Sequence, residues 1–309
     1  MKLVRLALMP LALLVVAFVK LAARFGLLIR FGELWSERIG HLAGNTECYL
    51  CERDAGLHPR SVDIWTHRFK ICNRYLARML RRVMLVDRSR FTQLVIIALR
   101  LFKDYERHFC ASWQVDRDMH NLFERQAPHL KFTARELARG AAQLRAWGLP
   151  PDAKWVCLIV RDGTYLPNAT YHRYRDSEIG TYAAAAYALA QRGYYVFRMG
   201  AVVEKPLESA HGSVFDYACN GMRSEFMDLY LGAHCAFCLS NGTGFDAIPA
   251  IFRRPICYVN DVPVEYFQTY TSPSIAIWKH HEKDGKRMTF AEIAACGAGR
   301  QSTRPAQRS

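Results

Sequence analysis

Residues 155–163 read WVCLIVRDG and residues 235–244 read CAFCLSNGTG. Each is an apolar run that stops abruptly at polar residues and glycine. Strands apolar at every position, rather than at alternate ones, are covered on both faces, as in a parallel sheet. Outward from these two, strand-like runs recur at 194–197 and 256–259. Helical stretches separate them: 177–191 with its alanine run, closed by Gly193, then 223–231 and 245–252. Alternating strands and helices predict a doubly wound α/β domain over 151–296, with its ligand beyond the carboxyl ends of the strands.

The N-terminal half is less regular. An apolar run at 27–31 predicts a strand, a glycine-bracketed loop spans 32–40, and a helix is expected over 41–50. Residues 64–107 read as mainly helical and arginine-rich. Thr133 and Glu136 form a capping box that opens an amphipathic helix, Gly148 stops it, and Pro150-Pro151 follow as a boundary. The expected organisation is therefore an apolar segment over 1–24, a mainly helical unit over 25–150, the α/β domain over 151–296, and a disordered polar tail over 297–309. No internal repeat is evident.

With 51% hydrophobic residues in 309, the chain buries a real core, which excludes wholesale disorder. One apolar stretch, residues 6–19, runs uncharged between Arg5 and Lys20, which excludes a polytopic membrane protein. It reads as a signal anchor or monotopic helix, with a cleaved signal peptide and a buried core helix as the alternatives. Charge is lopsided: residues 1–150 hold 25 basic and 13 acidic side chains, against 17 and 15 in the rest. Basic residues beside an apolar segment suit an anionic membrane surface. Nucleic acid is the competing partner, but no interleaving of basic and aromatic residues supports it, and none is expected.

Ten cysteines include two C-x-x-C pairs, Cys48/Cys51 and Cys235/Cys238. Zinc uses that spacing, yet the second pair lies in an apolar run where thiols act as small hydrophobes. No metal site is expected, and scattered thiols fit a reducing cytosol.

The strand ends carry the polar residues. They are Arg161-Asp162-Gly163, Arg198-Met199-Gly200, and Ser240-Asn241-Gly242-Thr243-Gly244, the last running straight into a helix. Amides at a helix start hold phosphate oxygens, and arginines neutralise them, so the three ends together suit a diphosphate. Taken singly, each arginine equally suits a salt bridge, and the loop a plain turn.

Several blocks in order carry a resemblance. SERIGHLA (36–43), CLIVRDGTYL (157–166), VFRMG (196–200), RSEFMDLYLGA (223–233) and LSNGTGFDAIP (239–249) resemble a family of bacterial glycosyltransferases found among surface-polysaccharide genes. The match covers most of residues 27–295. It implies a GT-B-like architecture: two Rossmann-like domains facing a cleft, preceded here by the hydrophobic helix. Arg161 also resembles the arginine of the His-x-Arg signature of fucosyltransferases, which meets the donor diphosphate. Ile159 stands where that signature has histidine, so only the diphosphate role is carried over. Asp228 and Ser240 fall where the pattern continues with an acidic helix residue and a strand-end hydroxyl.

The resemblance thus implies a hexosyl- or deoxyhexosyl-transferase using a nucleotide-diphosphate sugar, with a glycan or lipid-linked acceptor. The expected donor residues are Arg161, Arg198, Asp228 and Ser240 to Gly244. His41 and Asp162 are candidate bases for the acceptor hydroxyl. Arginines and amides are expected to neutralise the diphosphate without metal or other cofactor. The cytoplasmic face of the inner membrane is the expected location. A non-catalytic nucleotide- or sugar-binding protein and a basic nucleic-acid-binding protein are the other readings.

Overall fold

The computed structural model describes residues 2–115, 117–165, 167–168, 170–264, 267 and 274–299. The chain divides into two units, Met1–Lys131 and Phe132–Ser309. The division precedes the capped helix instead of following it at 150, because that helix packs within the second unit. The tail expected to be disordered lies, beyond 299, outside the described residues.

The first unit begins with helix α1, Lys2–Arg24, and strand β1, Ile29–Leu34. A π-helical turn, His41–Asn45, leads directly into α2, Thr46–Asp54. Then come β2, Val62–His67; α3, Arg74–Leu80; β3, Leu85–Asp87; α4, Phe91–Leu99; β4, Phe109–Ala111; and α5, Leu122–Arg125. The strands form one parallel sheet in the order β3-β2-β1-β4. The mainly helical expectation for 64–107 therefore needs correction, since β2 and β3 lie across it. Their charges hide inside the sheet: Arg30 of β1 donates to both carboxylate oxygens of Asp63 on β2, at 2.7 and 2.9 Å. Gly32 is required in β1, because a Cβ there would lie 2.4 Å from the Trp65 ring.

Helix α1 is amphipathic in its packing though not in its composition. Ala12, Val16 and Val19 are buried against Leu94, Val95, Ala98 and Leu99 of the α4 region and Phe31. The opposite side leaves Leu11 50%, Leu14 67%, Phe18 61% and Leu21 53% exposed. The helix is long and apolar enough to cross a membrane by length and composition, yet one face is a layer of this unit's core.

The second unit starts with α6, Ala134–Ala146, whose capping box is formed as expected: Glu136 N donates to Thr133 Oγ1 at 3.3 Å and Thr133 N to Glu136 Oε2 at 2.8 Å. It continues with β5, Lys154–Ile159; α7, Ala183–Gln191; β6, Tyr194–Met199; β7, Val214–Phe215; and α8, Glu225–His234. Next are β8, Phe237–Ser240; α9, Ala247–Ile251; β9, Ile256–Asp261; β10, Ile275–Trp278; a small hairpin of β11, Glu282–Lys283, and β12, Lys286–Arg287; and α10, Phe290–Ala295. Six strands form a parallel sheet in the order β10-β9-β8-β5-β6-β7. Helix α6 reaches α8 through Gly140, where a Cβ would collide with the Tyr230 ring. Val156, Leu158, Val196 and Leu239 pack beneath α7, and Cys157, Cys235 and Cys238 are fully buried. Those thiols serve as core, as their apolar setting predicts.

Candidate functional site

In an open parallel sheet, ligands collect where the strand order reverses. In the second unit that point lies between β5 and β8, whose last paired residues are Ile159 and Ser240. The chain beyond β5 carries Arg161, and the chain beyond β8 carries residues 241–244. Asn241 joins the two ends. Its Oδ1 accepts from Arg161 N at 2.9 Å, and its Nδ2 donates to the Arg175 carbonyl at 3.0 Å. Fully buried, Asn241 builds the loop through these two bonds.

The loop is set by two further features. Gly242 adopts φ +81°, a left-handed conformation that favours glycine, and a Cβ there would sit 2.6 Å from Asp261 Oδ1. Thr243 caps the following turn: its Oγ1 accepts from Phe245 N at 3.2 Å, and Asp246 accepts from Thr243 N at 2.6 Å. Ser240 is buried, with its Oγ accepting from Gly242 N at 3.1 Å. Thr243 is half-buried and Gly244 exposed, so this is the stretch of the loop that faces outward.

Arg161 has its side chain 15% exposed, with Nε 3.0 Å from Asp176 Oδ1. Gly163, at φ +75°, lets that carboxylate approach, since a Cβ would lie 2.7 Å from Asp176 Oδ2. Arg175, which the sequence reading missed, donates to the Gly242 carbonyl and stands close enough to Asp261 and Asp246 to favour their ionised forms. Burial works against it. It pushes Asp246 up to about 7, with Asp261 adding to the rise, and raises Asp261 as well. A short-spaced capping signal, Thr243-x-x-Asp246, is where Asp246 could have been found.

Two of the expected donor residues turn their side chains inward. Arg198 is fully buried, and its guanidinium bonds Asp216 Oδ1 at 3.2 Å and the Lys205 carbonyl at 3.0 Å. It braces the segment between β6 and β7 from inside. Asp228, on the first turn of α8, is also buried; it accepts from Tyr217 Oη at 3.0 Å and Arg223 Nη2 at 2.7 Å. Burial pushes its carboxyl up to about 6 against the pull of Arg223 and Tyr217.

Asp162 is similarly engaged as loop scaffold, its two oxygens accepting from Thr164 N at 3.0 Å and Glu204 N at 2.7 Å. In the first unit the strand order reverses between β1 and β4. Trp35 follows β1, its N donating to Ser112 Oγ at 3.1 Å, and Trp113 follows β4. His41 lies here, half-buried, with its ring 5.1 Å from that of Trp35 and Nδ1 3.3 Å from Asn45 Oδ1. A bond from His41 Nδ1 to Asn45 Oδ1 orients the ring.

Residues 116–118 read Asp-Arg-Asp, a spacing used elsewhere to bind a metal diphosphate. Asp118 is buried, and its oxygens accept from Leu122 N at 2.8 Å and Phe123 N at 2.7 Å, capping α5. Asp116 lies outside the described residues.

No protein-family model and no curated protein matches the sequence. Solved structures do. One is a glycosyl transferase family 9 structure from Veillonella parvula, 9% identical, covering 81% of this chain and 86% of its own, with a TM-score of 0.50. Another is E. coli ADP-heptose LPS heptosyltransferase II, 12% identical over 83% of this chain and 92% of its own, at a TM-score of 0.48. E. coli heptosyltransferase WaaC with ADP is 12% identical over 87% and 98%, at 0.41. The chain has the mixed α/β, GT-B-like fold of the Veillonella parvula structure, built from two parallel sheets with an apolar helix at the N-terminus.

Proposed function

We propose that this chain is a glycosyltransferase that moves a sugar from a nucleotide-diphosphate donor to a glycan or lipid-linked acceptor in bacterial surface-polysaccharide synthesis. The observation that carries the reading is the strand-order reversal in the second unit, where Arg161 and the 242–244 loop share one edge. The GT-B-like fold, shared with a glycosyl transferase family 9 structure, supports it. In this reading Arg161 and the exposed amide of Gly244 take the donor diphosphate and neutralise it as it leaves. His41 takes the proton of the acceptor hydroxyl, its imidazole oriented by Asn45. Resident metal has no part in this scheme.

The same reading places the protein on a membrane surface. The free side of α1 offers Leu11, Leu14, Phe18 and Leu21, and the half that carries it is strongly basic. An anionic bilayer matches both the apolar face and the charge. The buried side of α1 favours a helix lying in the interface over one that leaves the unit to span.

The test is a thermal-shift screen of the full chain against ADP, GDP, UDP and CDP, followed by donor turnover. A ligand that binds only the folded state raises the melting temperature by mass action. One diphosphate should do so, and its sugar conjugate should be consumed in the presence of a glycan acceptor. Binding without turnover would make the chain a nucleotide-binding protein, and no binding at all would remove the donor site.

A further inference from the structure

We propose that Glu47, Cys51 and His129 form a binding site for one divalent transition metal of the zinc class, independent of the donor site. Among the described residues, these side chains place their ligand atoms within 4.8 Å of one another. Glu47 and Cys51 stand four apart on α2 and so share one face. His129 is brought to that face by the segment after α5. Gln126 Nε2 donates to the Cys51 carbonyl at 3.0 Å, and His129 N donates to Glu47 Oε1 at 3.3 Å.

The ligand atoms have the spacing of a coordination sphere. His129 Nδ1 lies 3.2 Å from Glu47 Oε1 and 4.0 Å from Cys51 Sγ, and Sγ lies 3.9 Å from Oε1. A tetrahedral zinc ion with ordinary bond lengths separates such atoms by about 3.3–3.6 Å, so shifts of a few tenths of an ångström close the site. The outer shell is also present. His129 Nε2 lies 3.0 Å from Asp54 Oδ2, the carboxylate–imidazole contact that orients a metal-bound histidine and leaves Nδ1 for the metal.

The donor set selects the metal. One thiolate, one imidazole and one carboxylate suit zinc, cobalt or ferrous iron, and disfavour magnesium and calcium, which take oxygen alone. Cys51 and Glu47 are buried and the His129 side chain is 12% exposed, so a water completes the sphere from the histidine side. The C-x-x-C pair is not the ligand pair, for Cys48 is not among the side chains whose ligand atoms gather here. The site clasps the end of the first unit to α2, which continues directly from the turn opened by His41. The competing occupant of Nδ1 is a proton, which would make Glu47, His129 and Asp54 a plain ion triplet.

Metal analysis of the full chain, purified in detergent without chelator and reconstituted with Zn²⁺, separates the two. About one equivalent of zinc per chain is expected. Co²⁺ substitution should give a thiolate-to-cobalt charge-transfer band and the intense visible bands of a tetrahedral ion. Cys51→Ser should abolish the charge-transfer band, while Asp54→Asn should weaken metal affinity by about 10–100-fold. Cys48→Ser should leave both unchanged. A folded, reconstituted parent that holds no zinc overturns the proposal. So does a Cys51→Ser protein that keeps the charge-transfer band, or a Cys48→Ser protein that loses it.

Discussion

Arg198 Nη1 lies 3.2 Å from Asp216 Oδ1, with the arginine side chain 1% exposed and the aspartate 13%. The pair ties the end of β6 to the residue that follows β7. Asp216 Oδ2 also accepts from Leu207 N at 2.7 Å, so one carboxylate organises both ends of the excursion. Removing one partner of a buried pair leaves an uncompensated charge and costs about 3–5 kcal/mol. Arg198→Ala is therefore expected to lower stability by that order in urea unfolding. A variant as stable as the parent would show that water reaches Asp216 easily and that the arginine is free for other work.

Arg161 predicts the opposite pattern. Its side chain is partly open, and its partner Asp176 is 26% exposed, so losing the pair is cheap in stability. If it meets the donor, Arg161→Ala forfeits a charge-assisted contact of about 1.5–3 kcal/mol, or about 10–150-fold in Kd. Calorimetric titration with the diphosphate found in the thermal screen measures this. Equal Kd in a folded Arg161→Ala variant would remove the residue from the site.

The loop is best probed at Gly244, not Gly242. Gly242 stands at φ +81° with Asp261 2.6 Å from any Cβ, so substitution there strains the fold as well as the site. Gly244 is exposed and opens the turn Gly244–Asp246. A valine at 244 is expected to keep the melting temperature within a few degrees while weakening diphosphate binding at least tenfold, the effect of about 1.4 kcal/mol. Unchanged affinity in Gly244→Val would leave the loop as a turn.

The contrast between these residues explains what could be read in advance. The second unit was legible because strands covered on both faces are continuous apolar runs, as in 155–160 and 235–239, with polar residues only at their ends. The first unit was not. Strand β2 carries Asp63 inside the sheet, bonded to Arg30 and to Tyr49, so its pattern reads as polar. The site was legible as a place, the strand ends, but not as a division of labour. Arg161 and Arg198 look alike in sequence, each an arginine closing an apolar strand. What separates them is Asp216, eighteen residues beyond Arg198 and reached through a two-residue strand that no periodicity reveals. Arg175 and Asp261 converge on Gly242 from elements far apart in the chain, which a linear reading cannot bring together. The Glu47/Cys51 face was masked by the more familiar spacing of Cys48 and Cys51.

Asp246 supplies a pH prediction. Burial, with Asp261 adding, raises its folded-state value to about 7, above the ordinary 3.8. Between those values the folded protein binds more protons than the unfolded chain, so stability falls as pH rises from about 4 to 7. Asp246→Asn removes the titrating charge while keeping a carbonyl acceptor for Thr243 N. Its stability relative to the parent should therefore improve by about 2–3 kcal/mol between pH 5 and pH 8, as read by parallel denaturant titrations. A constant difference across that range would mean that Asp246 stays ionised in the folded protein.

Helix α1 bears on location, and its packing dictates how the idea is tested. Deleting residues 1–23 would strip Ala12, Val16 and Val19 from the core and expose the apolar side of α4. Loss of three buried side chains of that kind costs several kcal/mol, so a truncated chain would report on stability and not on binding. The free side can be changed alone. Leu14, Phe18 and Leu21 are 67%, 61% and 53% exposed, and replacing all three with serine leaves the buried face intact. Each contributes about 1.5–3 kcal/mol if buried in lipid, and the basic residues nearby about 1 kcal/mol apiece at an anionic surface. The parent should therefore sediment with vesicles of mixed phosphatidylglycerol and phosphatidylethanolamine, and the triple variant should sediment far less, at an unchanged melting temperature. Raising salt should weaken the remaining attachment of the variant far more than that of the parent, because only charge then holds it. Equal sedimentation of both proteins would detach α1 from membrane binding and return its apolar face to contact with protein.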